Sequence, residues 1–153
     1  MRRNYATILA LLAFAFFLRV LGQALVAWWD VEFLPPMTQW YSGLLPYPVL
    51  LPIQVVILLV QGKVSVDLWR GRGLFSLQRP RLGTVLRRFS YVYVAVMVFR
   101  YILTMSLHPD RRWFGGTIPI VFHCVLAAYL YVWGRFQTAG DELEPQRHRP
   151  RSG

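Results

Sequence analysis

Residues Tyr5 to Trp29 read YATILALLAFAFFLRVLGQALVAWW, a stretch whose single charge is Arg19. A helix that crosses a bilayer needs about 20 consecutive, mostly apolar residues, and this stretch is longer. Arg2 and Arg3 ahead of an apolar run also suit a secretory signal. Here, however, the run continues past Arg19, no small-x-small cleavage site follows it, and the arginine pair lacks a twin-arginine context. The segment is expected to be retained as a first spanning helix, residues 5–29.

Three more stretches pass the same length test. Phe33 to Gly62 carries no charge, and Pro46, Pro48 and Pro52 set the helix start near Tyr47, giving a span over 47–66. Phe89 to Leu107 contains only Arg100, giving a span over 89–107. Trp113 to Gly134 is uncharged, giving a span over 114–135. The expected fold is all-α and integral to the membrane: a four-helix transmembrane bundle of residues 1–137, connected up and down.

Composition agrees. Of 153 residues, 56% are hydrophobic and 16% charged, with a mean hydropathy of +0.38. Soluble domains carry about 25% charged residues, so an ordinary soluble enzyme is excluded, as are a disordered chain and a disulfide scaffold. Cys124 is alone in an apolar run, cannot form an internal disulfide, and is expected to be a small core residue.

The net charge of +10 resolves into a topology signal. Lys and Arg concentrate in cytoplasmic loops. Arg2 and Arg3, the inner loop (Lys63, Arg70, Arg72, Arg79, Arg81, Arg87, Arg88) and Arg135, Arg147, Arg149 and Arg151 would lie on one side, with only Arg111 and Arg112 opposite. Both termini are therefore expected to be cytoplasmic. All six tryptophans (Trp28, Trp29, Trp40, Trp69, Trp113, Trp133) fall near expected interfaces, where indole rings favour the boundary. Arginine supplies every basic residue but Lys63, which points to a GC-rich bacterial source and an inner-membrane location.

The loops differ in character. Pro35-Pro36 followed by Met37 to Gly43 predicts a short interfacial helix in the first outer loop. Arg70 to Arg88, interspersed with Leu74, Phe75, Leu77 and Leu82, suits contact with anionic headgroups, although a plain topology determinant explains it as well. The tail, residues 138–153, lacks apolar periodicity and is expected to be disordered and cytoplasmic.

Functional candidates are the polar residues inside the spans. Intramembrane ionisable groups usually face a bundle interior and mark function. Arg19 and Arg100 would share the outer half with Gln23, Gln54 and His123, so that every span contributes at least one of them. Tyr93, Met97, Arg100 and Thr104 share a face by helical spacing. Glutamines at such positions, Gln61 included, also serve simply as interhelical glue, and His123 could bond a carbonyl freed by Pro119. The arginines are harder to explain structurally, because no Asp or Glu lies within the four runs.

Chemistry-bearing motifs are missing. His108, His123 and His148 do not match a bis-His haem or a zinc or di-iron site, so no metal or cofactor is expected. Ser42 lacks the nucleophile elbow, no catalytic residue is assigned, and Gly71, Gly73 and Gly83 form no phosphate loop. Nucleic acid is not an expected partner. The leading expectation is a non-enzymatic binding or accessory subunit whose outer-leaflet polar cavity (Arg19, Gln23, Gln54, Arg100, His123) accepts an anionic group from lipid, ligand or partner. Membrane lipids, a membrane-protein partner or a second copy are the expected contacts. Alternatives are a small membrane enzyme acting on a lipid or isoprenoid-type substrate, and a small oligomeric transporter.

Overall fold

The computed structural model describes residues 1–29, 31, 33–36, 40, 46–107 and 117–139. These form four helices and, among the described residues, no strand: α1 (Arg2–Trp29), α2 (Tyr47–Arg70), α3 (Pro80–Leu107) and α4 (Thr117–Thr138). Helices α1, α2 and α3 are each long and apolar enough to cross a membrane. Helix α4, 22 residues long, forms over the expected fourth span. The expected interfacial helix over Met37–Gly43, the connection with His108 and Gly115-Gly116, and residues 140–153 of the tail lie outside the described residues.

Helix ends follow local chemistry. Pro46 and Pro48 open α2, where the missing N–H groups cost nothing. Gly71 closes it in the left-handed region at φ 69°, its N–H donating to the Asp67 carbonyl at 2.9 Å. The Arg2 guanidinium lies against Gly71, a cation at the negative end of the helix dipole. Helix α3 starts at Pro80, nine residues ahead of the apolar run that predicted it. The arginines that made residues 80–88 read as loop are compatible with a helix that continues beyond the hydrocarbon.

Side-chain pairs fix the topology. Gln23 meets Gln54, and Arg2 meets Gly71, so α1 and α2 are antiparallel. Tyr5 packs edge-on against Phe136 while Arg19 sits over Phe122, so α1 and α4 are antiparallel too. Gly83 touches Gly134, and Tyr93 bonds His123, giving the same relation for α3 and α4. The connectivity is up-down, and the start of α1, the α2–α3 turn and the end of α4 share one end of the molecule.

The helices form a chain of neighbours, α2–α1–α4–α3, that does not close: α2 and α3 share no contact. The basic end is the better packed. Ala6 and Leu9 of α1, Val64 and Leu68 of α2, and Tyr129, Trp133 and Phe136 of α4 form its core. Asp67, 3% exposed, ties down the turn: Lys63 Nζ donates to its carboxylate, as does the Phe75 N–H at 3.4 Å. Gln137 then caps α3, its Oε1 accepting from the Arg79 N–H at 2.8 Å, while Gln78 Nε2 donates to the Phe136 carbonyl. At the α3–α4 crossing a Cβ on Gly83 would lie 2.7 Å from the Gly134 carbonyl oxygen, so the two backbones approach as small residues permit.

One expectation is corrected here. Cys124 is exposed, not core, because the buried face of α4 runs through Ala127, Tyr129, Trp133 and Phe136. Trp40 and Trp133 are each 8% exposed. Trp133 packs edge-on against Phe75 in the core, and Trp40 rests on Gly22. Trp28, Trp29 and Trp69 are exposed.

Candidate functional site

On α1, Arg19 and Gln23 are one helical turn apart, which puts both side chains on one face. Arg19 Nη1 donates to Gln23 Oε1 at 3.2 Å, and Gln54 Nε2, from α2, donates to the same oxygen at 3.1 Å. Arg19 Nη2 donates to the Trp40 carbonyl at 3.4 Å, and the guanidinium carbon lies 5.6 Å from the Phe122 ring centroid, within cation–π range. Arg19 is 7% exposed, Gln23 0% and Gln54 4%. The Trp40 indole Nε1–H donates to the Pro35 carbonyl at 2.8 Å.

The cluster is cationic and under-filled. Every acceptor that Arg19 finds is neutral, and among the described residues the one ion pair is Lys63–Asp67 at the opposite end of α2. Among the described residues, Arg19 Nε and Gln23 Nε2 are donors without a partner, and Gln54 Oε1 is an acceptor without one. Unsatisfied polar groups are expensive in a hydrocarbon setting. A group that brings negative charge and acceptor oxygens would answer both the charge and the free donors.

Beside this cluster, Tyr93 Oη and His123 Nδ1 lie 2.6 Å apart across the α3–α4 contact, both half-buried. His123 follows Phe122, so α4 presents an aromatic face to Arg19 and an imidazole to α3. Arg100 stands two turns beyond Tyr93, about 10 Å along α3, is half-exposed, and makes no side-chain hydrogen bond among the described residues. Of the five expected site residues, the structure thus joins Arg19, Gln23 and Gln54 directly. His123 belongs to an adjacent pair, and Arg100 to the rim.

Trp40, through its carbonyl, and Phe122, through its ring, both lie against Arg19. Neither residue stood out in the sequence. Gly22 is the one sequence signal for Trp40: a residue without a side chain, flanked on its helix by Arg19 and Gln23, where a Cβ would sit 2.7 Å from the Trp40 ring. Gln61, two turns inward of Gln54, is also buried with both amide atoms unpaired, while its carbonyl accepts from Tyr129 Oη and Ser65 Oγ. Among the described residues no group of His, Cys, Asp or Glu could hold a metal. The chain matches no protein-family model, and no curated protein or solved structure is significantly similar to it.

Proposed function

We propose that this chain is an integral membrane binding or accessory subunit whose outer-half cluster accepts an anionic group. In this reading α1 to α3, together with α4, form four spans in a bacterial inner membrane, with the basic end cytoplasmic. The observation that carries it is Arg19: 7% exposed, bonded only to neutral oxygens, and flanked by unfilled donors on its own Nε and on Gln23 Nε2. A buried guanidinium presents a planar fork of donors suited to phosphate or carboxylate. In this reading the complementary charge comes from another molecule.

Mass spectrometry of the protein extracted from native membrane tests this. An anionic species is expected to co-purify with the unaltered chain and to be lost from an Arg19→Met variant that still inserts and melts cooperatively. Identical co-purifying material in both would overturn the reading.

The Tyr93–His123 pair favours a second reading, a membrane enzyme on a lipid or isoprenoid-type substrate. His123 would move the proton, with Tyr93 orienting it and the arginines holding a phosphate. That reading requires turnover that disappears in His123→Ala while the fold persists.

A further inference from the structure

Helix α1 has 28 residues, about 42 Å at 1.5 Å per residue, and the hydrocarbon core of a bilayer is about 30 Å thick. The helix therefore overshoots. With Arg2 and Arg3 held at the basic end beside the α2–α3 turn, about 20 residues of hydrocarbon carry α1 from Tyr5 to the neighbourhood of Ala24. Arg19 then lies about 8 Å inside the outer boundary, and Gln23 lies at it. That depth is within reach of a headgroup phosphate that dips towards a buried cation.

Access at that depth is lateral. Helices α2 and α3 share no contact, so the chain of neighbours is open on the side where a fourth contact would close it. Tyr93, Arg100 and His123 are partly exposed on otherwise apolar helices, with Val92, Val96 and Phe99 exposed along α3 and Val55, Val56 and Leu59 along α2. A ligand with an anionic head and hydrocarbon tails fits both features: oxygens for Arg19 Nε and Gln23 Nε2, and acyl chains for the apolar flanks.

Resting on the anion-binding reading above, we propose that the Arg19 cluster takes the phosphate of an anionic phospholipid of the outer half of the bilayer, entering between α2 and α3. Arg100, on the rim, draws the headgroup in. The phosphate seats against Arg19 and Gln23, and the tails stay in the bilayer. The chemistry recognised is a phosphate ester, which a soluble phosphate could also offer, so the test separates the two sources.

The full chain, purified in mild detergent, is mixed with equimolar phosphatidylglycerol and phosphatidylcholine. Retained lipid is counted by native mass spectrometry, and melting is followed in parallel. Separate arms carry glycerol 3-phosphate and inorganic phosphate. One phosphatidylglycerol is expected per chain, in preference to phosphatidylcholine. Its retention should fall about tenfold or more in Arg19→Gln, as for a lost charge-assisted hydrogen bond, and to a lesser degree in Arg100→Gln. Arg81→Gln, in the basic turn, reports any headgroup held there and should leave the Arg19-dependent lipid in place. Should Arg19→Gln fail to fold, Arg100→Gln carries the test, with the smaller loss expected of it.

Equal retention of the two lipids by the unaltered chain, or retention indifferent to both Arg19→Gln and Arg100→Gln, overturns the proposal. Tailless phosphate binding as well as phosphatidylglycerol, in an Arg19-dependent way, overturns the lipid source and leaves anion binding standing. If no anion binds in an Arg19-dependent way, both readings fall.

Discussion

Gln23 Oε1 holds the polar cluster together, because Arg19 and Gln54 both donate to it. Gln23→Leu removes the acceptor of a buried cation and leaves two donors unpaired. A loss of about 2 kcal/mol is expected from hydrogen bonds of this kind, read as a lower melting temperature in detergent. Gln23→Glu separates structure from function. It gives Arg19 an internal carboxylate, so the fold should hold its melting temperature while retention of an anionic lipid drops about tenfold, the loss of one charge-assisted contact. Undiminished retention in a stable Gln23→Glu variant would mean that Arg19 needs no outside counter-charge. Arg19, Gln23 and Gln54 were legible in the sequence because apolar surroundings isolate them and one-turn spacing aligns the first two. Trp40 was not legible, because its place depends on the path of a connection that carries no periodic signal. Arg100 shares the hydropathy logic of Arg19, but it sits on α3, which packs on α4 alone, so the same reasoning could not tell a cluster member from a rim residue.

At the level of elements, glycines report how each helix is seated. Gly62 lies in α2 with nothing within 4 Å of an added Cβ, whereas a Cβ on Gly83 meets the Gly134 backbone oxygen at 2.7 Å. Gly62→Ala should therefore stabilise by about 0.5–1 kcal/mol through helix propensity. Gly83→Ala should destabilise by about 1–3 kcal/mol, because backbone must move. Melting of the two variants side by side checks the pair; the same sign for both would mean that α3 is not held against α4 at this crossing. The sequence announced each helix through its apolar run, yet it placed the start of α3 at Phe89 and not at Pro80. Hydropathy marks where a helix meets hydrocarbon, while Pro80 and the Gln137 cap mark where its hydrogen bonding begins. The two coincide only when a helix ends at the membrane boundary.

For the molecule as a whole, the structure gathers the ends of the helices into two unlike halves. One holds Arg2, Lys63, Arg70, Arg79, Arg81 and Arg135 around a well-packed core, and the other holds the Arg19 cluster beneath Trp40. The grouping follows from up-down connectivity, and the proposed orientation, resting on the positive-inside rule, puts the basic half in the cytoplasm. Single cysteines test that assignment, after Cys124, which is itself exposed, is replaced by Ser. Phe33 is 91% exposed at the outer half and Leu74 is 68% exposed in the α2–α3 turn, so neither substitution should disturb packing. A membrane-impermeant maleimide should label the Phe33→Cys variant in spheroplasts and the Leu74→Cys variant only after the membrane is opened. The reverse pattern would turn the molecule over and place Arg19 in the cytoplasmic half, where the dense basic turn would compete for the same anionic lipids. Labelling of both from one side would mean that α2 does not carry the chain across the bilayer, and the four-span reading would fall.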